Sequence, residues 1–288
     1  MNGRRTVGAD GSRRAGRRVR LGGYAGPVAS PKLPALVEPV AALSDAERAR
    51  TVRHAALAGL GPSGQRRLAG ARVGVVGAGG LGSSALLALA AAGVGEIVLI
   101  DDDVVSVSDL HRQIIHGVPD VGRPKAASAI ESMHAVAPEA IVIPHEVRLD
   151  ATNAAELLAG CDVVLDGSDT MSTRTAVAAA CERLGVPLVW ATVQEWHAQL
   201  TVFWSAPPAG AEPIVLGDLY DPATVGEPPA CSAVGVLGAL TIQVGALMAT
   251  EAVKLITGAG TTLLGRILLI DGLDARHREV DIHPAGRA

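Results

Sequence analysis

Three carboxylates in a row, Asp101, Asp102 and Asp103, close the apolar run Ile97 to Ile100. Asp101 stands 19 residues beyond the last glycine of a G-x-G-x-x-G set formed by Gly77, Gly79 and Gly82, with Gly80 between. Glycines at this spacing allow a tight turn and a close approach of backbone to phosphate. The Ala/Leu-rich stretch from about Ser83 to Ala92 reads as a helix, and the start of such a helix offers unpaired N–H groups and a partial positive charge. An acid at the tip of the second strand is placed to accept a ribose hydroxyl. This stretch therefore points to a nucleotide with a ribose and phosphates, and a fold that binds NAD or FAD is its general reading.

Residues further on narrow the choice. Asp109, Arg112 and Gln113 follow the second strand, and Lys125 opens the next helix behind Pro124. Asp166, Ser168 and Asp169 end the fourth strand. Parallel sheets bind ligands beyond the carboxyl ends of their strands, so these groups converge on the glycine loop. Only Lys32, Lys125 and Lys254 of the 25 basic residues are lysine, which makes Lys125 conspicuous. A nicotinamide cofactor needs little positive charge beyond the helix N-terminus. An Arg and a Lys opposed by a carboxylate suit a triphosphate with Mg²⁺, the cations holding phosphate oxygens and the carboxylate the metal. There is no GxxxxGK run, so the phosphates are not held as in P-loop enzymes.

The elements that position these groups alternate. Val73 to Val76, Ile97 to Ile100, Ile141 to Ile143, the run before Asp166 and VPLVWATV read as strands. Between them, helices are expected at 83–92, Pro124 to about Val136, Ala154 to Leu158 and Ser172 to Leu184. This predicts an α/β chain with a Rossmann-like nucleotide-binding fold, a mainly parallel sheet and helices on both faces. After a polar insert, QLTVFW and the closing RILLIDGLDARHREVDIH add a C-terminal antiparallel extension. Residues 205–231 read as a long Pro/Gly-rich loop, and a helix is expected from about Val234 to Ile256. Ser44, with Glu47 three residues on, forms a capping box for a first helix. Residues 1–41 lack apolar periodicity and are expected to be a disordered basic arm ahead of one domain at 42–288.

Composition sets limits. The 288 residues are 49% hydrophobic and 19% charged, with net charge −4. Residues 1–20 hold seven Arg and one Asp, a local +6 that leaves the remainder at −10 and argues against a nucleic-acid partner. Three cysteines without CxxC spacing argue against a disulfide framework and a cysteine zinc site. Cys161 and Cys181 read as core. The Arg-rich start lacks the apolar region of a secretory signal, and a cytoplasmic location is expected. Ser232 to Thr250 is uncharged for 19 residues, the length of a membrane span. It contains Gln243 and runs on into Glu251 and Lys254, so a buried helix is the better reading and no membrane partner is expected. His111, His116 and His197 match no metal spacing, and the first two are expected to shape the loop beside the nucleotide. Arg174 could contact the nucleotide or pair with a carboxylate.

GAGGLGS, AAGVGEIVLIDDDVVSVSDLHRQIIH, VGRPKA and DVVLDGSDT together resemble the ThiF/MoeB/HesA group of ubiquitin-activating-type adenylyltransferases, over about residues 44–282. The resemblance implies use of ATP and Mg²⁺ to adenylate the C-terminal carboxylate of a ubiquitin-like sulfur-carrier protein ending in Gly-Gly. Sulfur would then come from a separate donor such as a cysteine desulfurase or sulfurtransferase. It implies ribose contact by Asp101, phosphate contact at Gly79, triphosphate contacts by Arg112, Gln113 and Lys125, and Mg²⁺ at Asp169. Arg53, in the run Arg50 to His54, would reach the partner subunit's ATP in a homodimer. Cys231 occupies the place of a family cysteine that can take part in sulfur or acyl transfer, with a spectator thiol as the competing reading.

Four departures from the family pattern matter. Asp109 replaces an Asn, and a carboxylate beside a triphosphate should repel it unless it helps bind the metal. The two CxxC pairs of zinc-bearing members are missing, so no zinc is expected. Ser168-Asp169-Thr170 replaces T-D-N. Ala198, beside Trp196 and His197, replaces a Gly near the carrier's tail. Two alternatives follow: a non-catalytic member that binds nucleotide or carrier, and an NAD-dependent oxidoreductase.

Overall fold

The computed structural model describes residues 32–220, 226 and 234–285. The parallel strands are runs rich in Val, Ile and Leu, each stopped by a glycine or a carboxylate, and the antiparallel strands that complete the one sheet end in the polar, exposed RHREVD. In chain order these are β1 (Arg72–Val76), β2 (Glu96–Ile100), β3 (Ile141–His145), β4 (Val163–Asp166), β5 (Leu188–Gln194), β6 (His197–Phe203), β7 (Arg266–Asp271) and β8 (Arg276–Asp281). The spatial order is β3-β2-β1-β4-β5-β6-β7-β8. The first five pair in parallel, and β6, β7 and β8 extend the sheet antiparallel. The expected α/β architecture and its antiparallel extension are both present. The expected polar insert is only the tight turn between β5 and β6, where Glu195 takes a positive φ of 52°.

The helices are α1 (Asp45–Arg50), α2 (Val52–Ala55), α3 (Gly61–Gly70), α4 (Gly80–Ala92), α5 (Lys125–Val136), α6 (Ala154–Leu157), α7 (Met171–Leu184) and α8 (Gly238–Thr257). Helices α4, α5 and α8 pack together over one face of the sheet, and α6 lies on α7, which packs on β4. Right-handed crossovers from β1 to β2 and back from β3 to β4 put these groups on opposite faces. Helix α8 is long and apolar enough to cross a membrane, but Leu240, Val244, Met248, Ala252, Leu255 and Ile256 are buried against α4 and the sheet. It crosses α4 closely at Gly245, where a Cβ would stand 2.2 Å from the Leu81 carbonyl oxygen.

Smaller differences have local causes. Of the arm expected to be disordered, residues 1–31 lie outside the described residues, and residues 32–41, though without helix or strand, are anchored: Leu33 and Val37 are buried, and the Leu36 N–H donates to the Leu255 carbonyl at 3.2 Å. The capping box of α1 is half made. The Ser44 Oγ accepts from the Glu47 N–H at 3.0 Å, but the Glu47 carboxylate pairs with Arg50. Helix α8 begins at Gly238, four residues later than expected, because Gly235 and Leu237 pair through their backbones with Glu195, and its first turn abuts the loop after β2. A Cβ on Gly238 would lie 2.1 Å from the His111 carbonyl oxygen. In the antiparallel extension, Arg266 pairs with Glu279 and also donates to the Thr262 carbonyl at 2.8 Å. Buried Glu251 pairs with Lys254 and accepts the Leu263 N–H at 2.8 Å. Burial holds the Glu251 carboxyl above its ordinary value, with Lys254 opposing.

Candidate active site

A cleft of about 440 Å³ opens beyond the carboxyl ends of β1, β2 and β4. The strand order reverses between β1 and β4, the place where doubly wound sheets bind ligands. Gly77 leaves β1 with φ +90°, a conformation that favours glycine. Gly82 allows close packing instead of ligand contact: a Cβ there would sit 1.7 Å from the Gly77 carbonyl oxygen, and Gly82 does not line the cleft. Gly77, Gly79 and Gly80 do line it. Gly79 is the N-cap of α4 and makes no side-chain cap, so the first-turn N–H groups of α4 form a ready anion site.

The end of β2 is tied to this loop. Asp101 accepts the Ala78 N–H at 2.7 Å with one oxygen and the Asp103 N–H at 2.9 Å with the other. Burial raises its pKa above the ordinary value, and the two backbone donors oppose that rise. Lys125 is buried at the first residue of α5, and its Nζ donates to Asp103 at 2.9 Å. Its N–H also donates to the Asp103 carbonyl at 2.9 Å.

Asp109 is buried, and its charge is fully engaged. One oxygen accepts Arg112 Nη2 and Gln113 Nε2, both at 3.0 Å. The other accepts the Ser106 N–H at 3.0 Å and lies 3.9 Å from Lys125 Nζ. The carboxylate expected to repel a triphosphate therefore organises the cations around it. Gln113 keeps one buried acceptor, Oε1, without a partner. His116 joins two walls of the site, with Nδ1 2.8 Å from Ser128 Oγ on α5 and Nε2 3.2 Å from the Ala78 carbonyl. Burial lowers its pKa below the ordinary value.

At the end of β4, Asp166 has no exposed surface, and one oxygen accepts both the N–H and the Oγ–H of Ser168, at 2.9 and 2.6 Å. Its second oxygen has no partner among the described residues. Burial pushes its pKa up, opposed chiefly by the charge of Arg174. Asp169 is exposed and lines the cleft. Ser168 also lines it, but its side chain is spent on Asp166.

The cleft thus gathers Gly77, Gly79, Gly80, Asp101, Asp103, Asp109, Arg112, Gln113, Lys125, Ser168 and Asp169. Arg53 is not among them; it is exposed on α2. Cys231 lies outside the described residues. Cys161 and Cys181 are buried, as expected, and burial pushes the Cys161 thiol up to about 11. Two wall residues had no legible signal. Arg148 and Leu149 reach the cleft from the loop after β3, which carries no motif.

Fold and cleft define a nucleotide-binding α/β protein with a phosphate-receiving helix start flanked by an Arg and a Lys. The ThiF family pattern matches residues 51–287, and the chain belongs to that family. It is 48% identical over 254 residues to a probable adenylyltransferase/sulfurtransferase, MoeZ, of Mycobacterium tuberculosis, covering 88% of this chain and 64% of that protein. It is 43% identical to the SAMP-activating enzyme E1 of Haloferax volcanii, covering 78% of this chain and 82% of that one. It is 41% identical to a sulfur carrier protein adenylyltransferase of Thermus thermophilus, covering 77% and 83%. The chain therefore spans less than two thirds of the mycobacterial relative's length. Among solved structures, PaaA superposes with a TM-score of 0.72 at 20% identity, covering 85% of this chain and 86% of that one. E. coli MccB with AMPCPP and MccA gives 0.71 at 20% identity, covering 85% and 73%. These two likenesses concern the fold.

Proposed function

We propose that this chain uses Mg·ATP to adenylate the C-terminal glycine carboxylate of a ubiquitin-like sulfur carrier, preparing it for sulfur transfer. The observation that carries this reading is the convergence of Arg112 and Lys125 on the uncapped start of α4, with Asp169 at the mouth of the same cleft. The relatives named for sulfur-carrier activation support the substrate class. A carrier carboxylate oxygen attacks the α-phosphorus, the bond from that phosphorus to the bridging oxygen breaks, and pyrophosphate leaves with the electron pair. The carboxylate is already ionised at neutral pH, so no base is required. Two anions must be brought together, and fixed cations together with positioning lower the barrier. Lys125 and Arg112 serve that role, Asp101 holds the ribose, and Gln113 Oε1 offers a free acceptor.

Among the described residues, no group of three or more His, Cys, Asp or Glu side chains could hold a metal. That suits Mg²⁺, which keeps several waters and binds through one or two carboxylates plus substrate phosphates. Asp169 is the residue to hold it, and the ion would neutralise developing charge on the phosphates. No zinc is part of this reading. We place the protein in the cytoplasm, as a homodimer in which Arg53 reaches the partner's ATP and a separate protein donates sulfur. Cys231 is a candidate in sulfur or acyl transfer.

ATP–pyrophosphate exchange with a panel of Gly-Gly-ending carriers tests the reading. Carrier-dependent exchange is expected. An Asp109→Asn variant should stay within about fivefold of the wild type, since its amide oxygen keeps the acceptor for Arg112 and Gln113 and one hydrogen bond of about 1 kcal/mol is lost. Exchange only in the variant would mean that Asp109 silences the site and would favour the non-catalytic alternative. Mixing Arg53→Ala with Lys125→Ala should restore activity if the arginine acts across the dimer.

A further inference from the structure

The segment carrying Asp169 is held by groups to which the proposed chemistry gives no role, one of which, Arg174, also forms part of the cleft wall. Arg174, on α7, is buried. Its Nη2 donates to the Ser168 carbonyl at 2.5 Å and its Nη1 to the Ala191 carbonyl on β5 at 2.8 Å. The guanidinium lies 5.2 Å over the ring of Trp190. Trp190 in turn packs on Phe203 and Tyr220, with ring centroids 5.9 and 5.6 Å away. The chain has six aromatic residues, and three of them form this platform. Asp166 grips the N–H and hydroxyl of the same Ser168 whose carbonyl Arg174 holds. All three polar groups of Ser168 are therefore fixed from inside the protein, and the next residue is exposed in the cleft.

A structural salt bridge alone does not account for this arrangement. Among the described residues Arg174 makes no ion pair within bonding distance, and it acts on Asp166 through its charge. Its planar fork spans the loop after β4 and the middle of β5, which an ammonium cannot do. We propose that Arg174, braced on Trp190, is a positioning residue that sets the Asp169 carboxylate against the metal and phosphates of bound ATP. This rests on the assignment of Asp169 to Mg²⁺ made above. Arg174 and Asp166 act as one clamp on Ser168, and the clamp aims its neighbour without touching substrate.

The test is calorimetric titration of ATP into the full chain, in Mg²⁺ and in EDTA, without carrier so that nothing turns over. The ratio of the two affinities measures the coupling of metal to nucleotide, which for linked sites commonly amounts to about 5- to 150-fold. Arg174→Gln should lose most of that gain, about fivefold or more, while its affinity in EDTA stays that of the wild type. Asp169→Asn should lose the same gain, and the double variant should lose no more than either alone. Arg174→Lys keeps a buried charge opposite Asp166 but cannot span both carbonyls, so it should behave as the Gln variant does and covers poor folding of that variant. Wild-type coupling in folded Arg174 variants, with coupling lost in Asp169→Asn, would overturn the proposal alone. A parallel fall of both affinities would make Arg174 merely structural. Unchanged coupling in Asp169→Asn would overturn the metal assignment and the proposal with it.

Discussion

Two strands of the sheet end in the same device and use it differently. Asp101 follows β2 and Asp166 closes β4, and each accepts the backbone N–H two residues further on, from Asp103 and Ser168. Burial raises the pKa of both. Asp101 spends its second oxygen across the cleft, on Ala78 in the glycine loop. Asp166 leaves its second oxygen unpartnered under Arg174. The first aspartate stays at the surface of the cleft as a brace, where the proposed function gives it the ribose. The second is withdrawn, and Asp169 takes the place at the cleft. A carboxylate at a strand tip therefore has no fixed role. The loop that crosses it and the cation behind it decide whether it meets ligand.

Substitutions at the two ends should separate binding from chemistry. The largest effect is expected at Asp169 by the β4 end and at Lys125 across the cleft: Asp169→Ala and Lys125→Ala should each lower carrier-dependent pyrophosphate exchange by about 10²–10³, the range for removing one preorganised electrostatic group. Asp101→Asn should act mainly through the KM for ATP, by about tenfold, as expected for hydrogen-bond loss in binding. An equal fall in kcat at both ends would erase the distinction. In stability the same order should hold. Asp166→Ala removes the fully buried anchor of its loop and should cost about 2–4 kcal/mol in urea unfolding, whereas Asp101→Ala, at the cleft surface, should cost about 1–2.

The smallest effect concerns pH. His116 bridges Ala78 and Ser128, and the charged groups facing it are Lys125, Asp101 and Asp120. Its folded pKa lies below the ordinary 6.5. Between the two values the unfolded chain binds more protons, so stability rises with pH across that window and is lost as pH falls below 6.5. Urea midpoints from pH 7.5 down to 5 should show this decline, and His116→Gln should flatten it. A decline unchanged in the variant would assign the window to another group.

The amino-acid order alone determined most of the architecture and the cleft. Alternating apolar runs, each closed by glycine or carboxylate, dictate strands, and strands alternating with helices dictate a parallel sheet whose carboxyl ends share one rim. Eleven of the residues singled out for chemistry line that rim for this reason. Tertiary structure decided how charge is shared there. Asp109 is a threat to a triphosphate when read in line, yet it becomes the hub of Arg112, Gln113 and Ser106 once the loop folds back. Ser168 and Gly82 keep their places in the motifs but serve the backbone and the packing. Arg174 stood open between two roles; its donors meet carbonyls in the loop after β4 and midway along β5, at the wall of the cleft. Sequence spacing places a side chain at a strand end, but hydrogen bonds between residues distant in the chain exist only after packing, and they settle which groups remain free for a ligand.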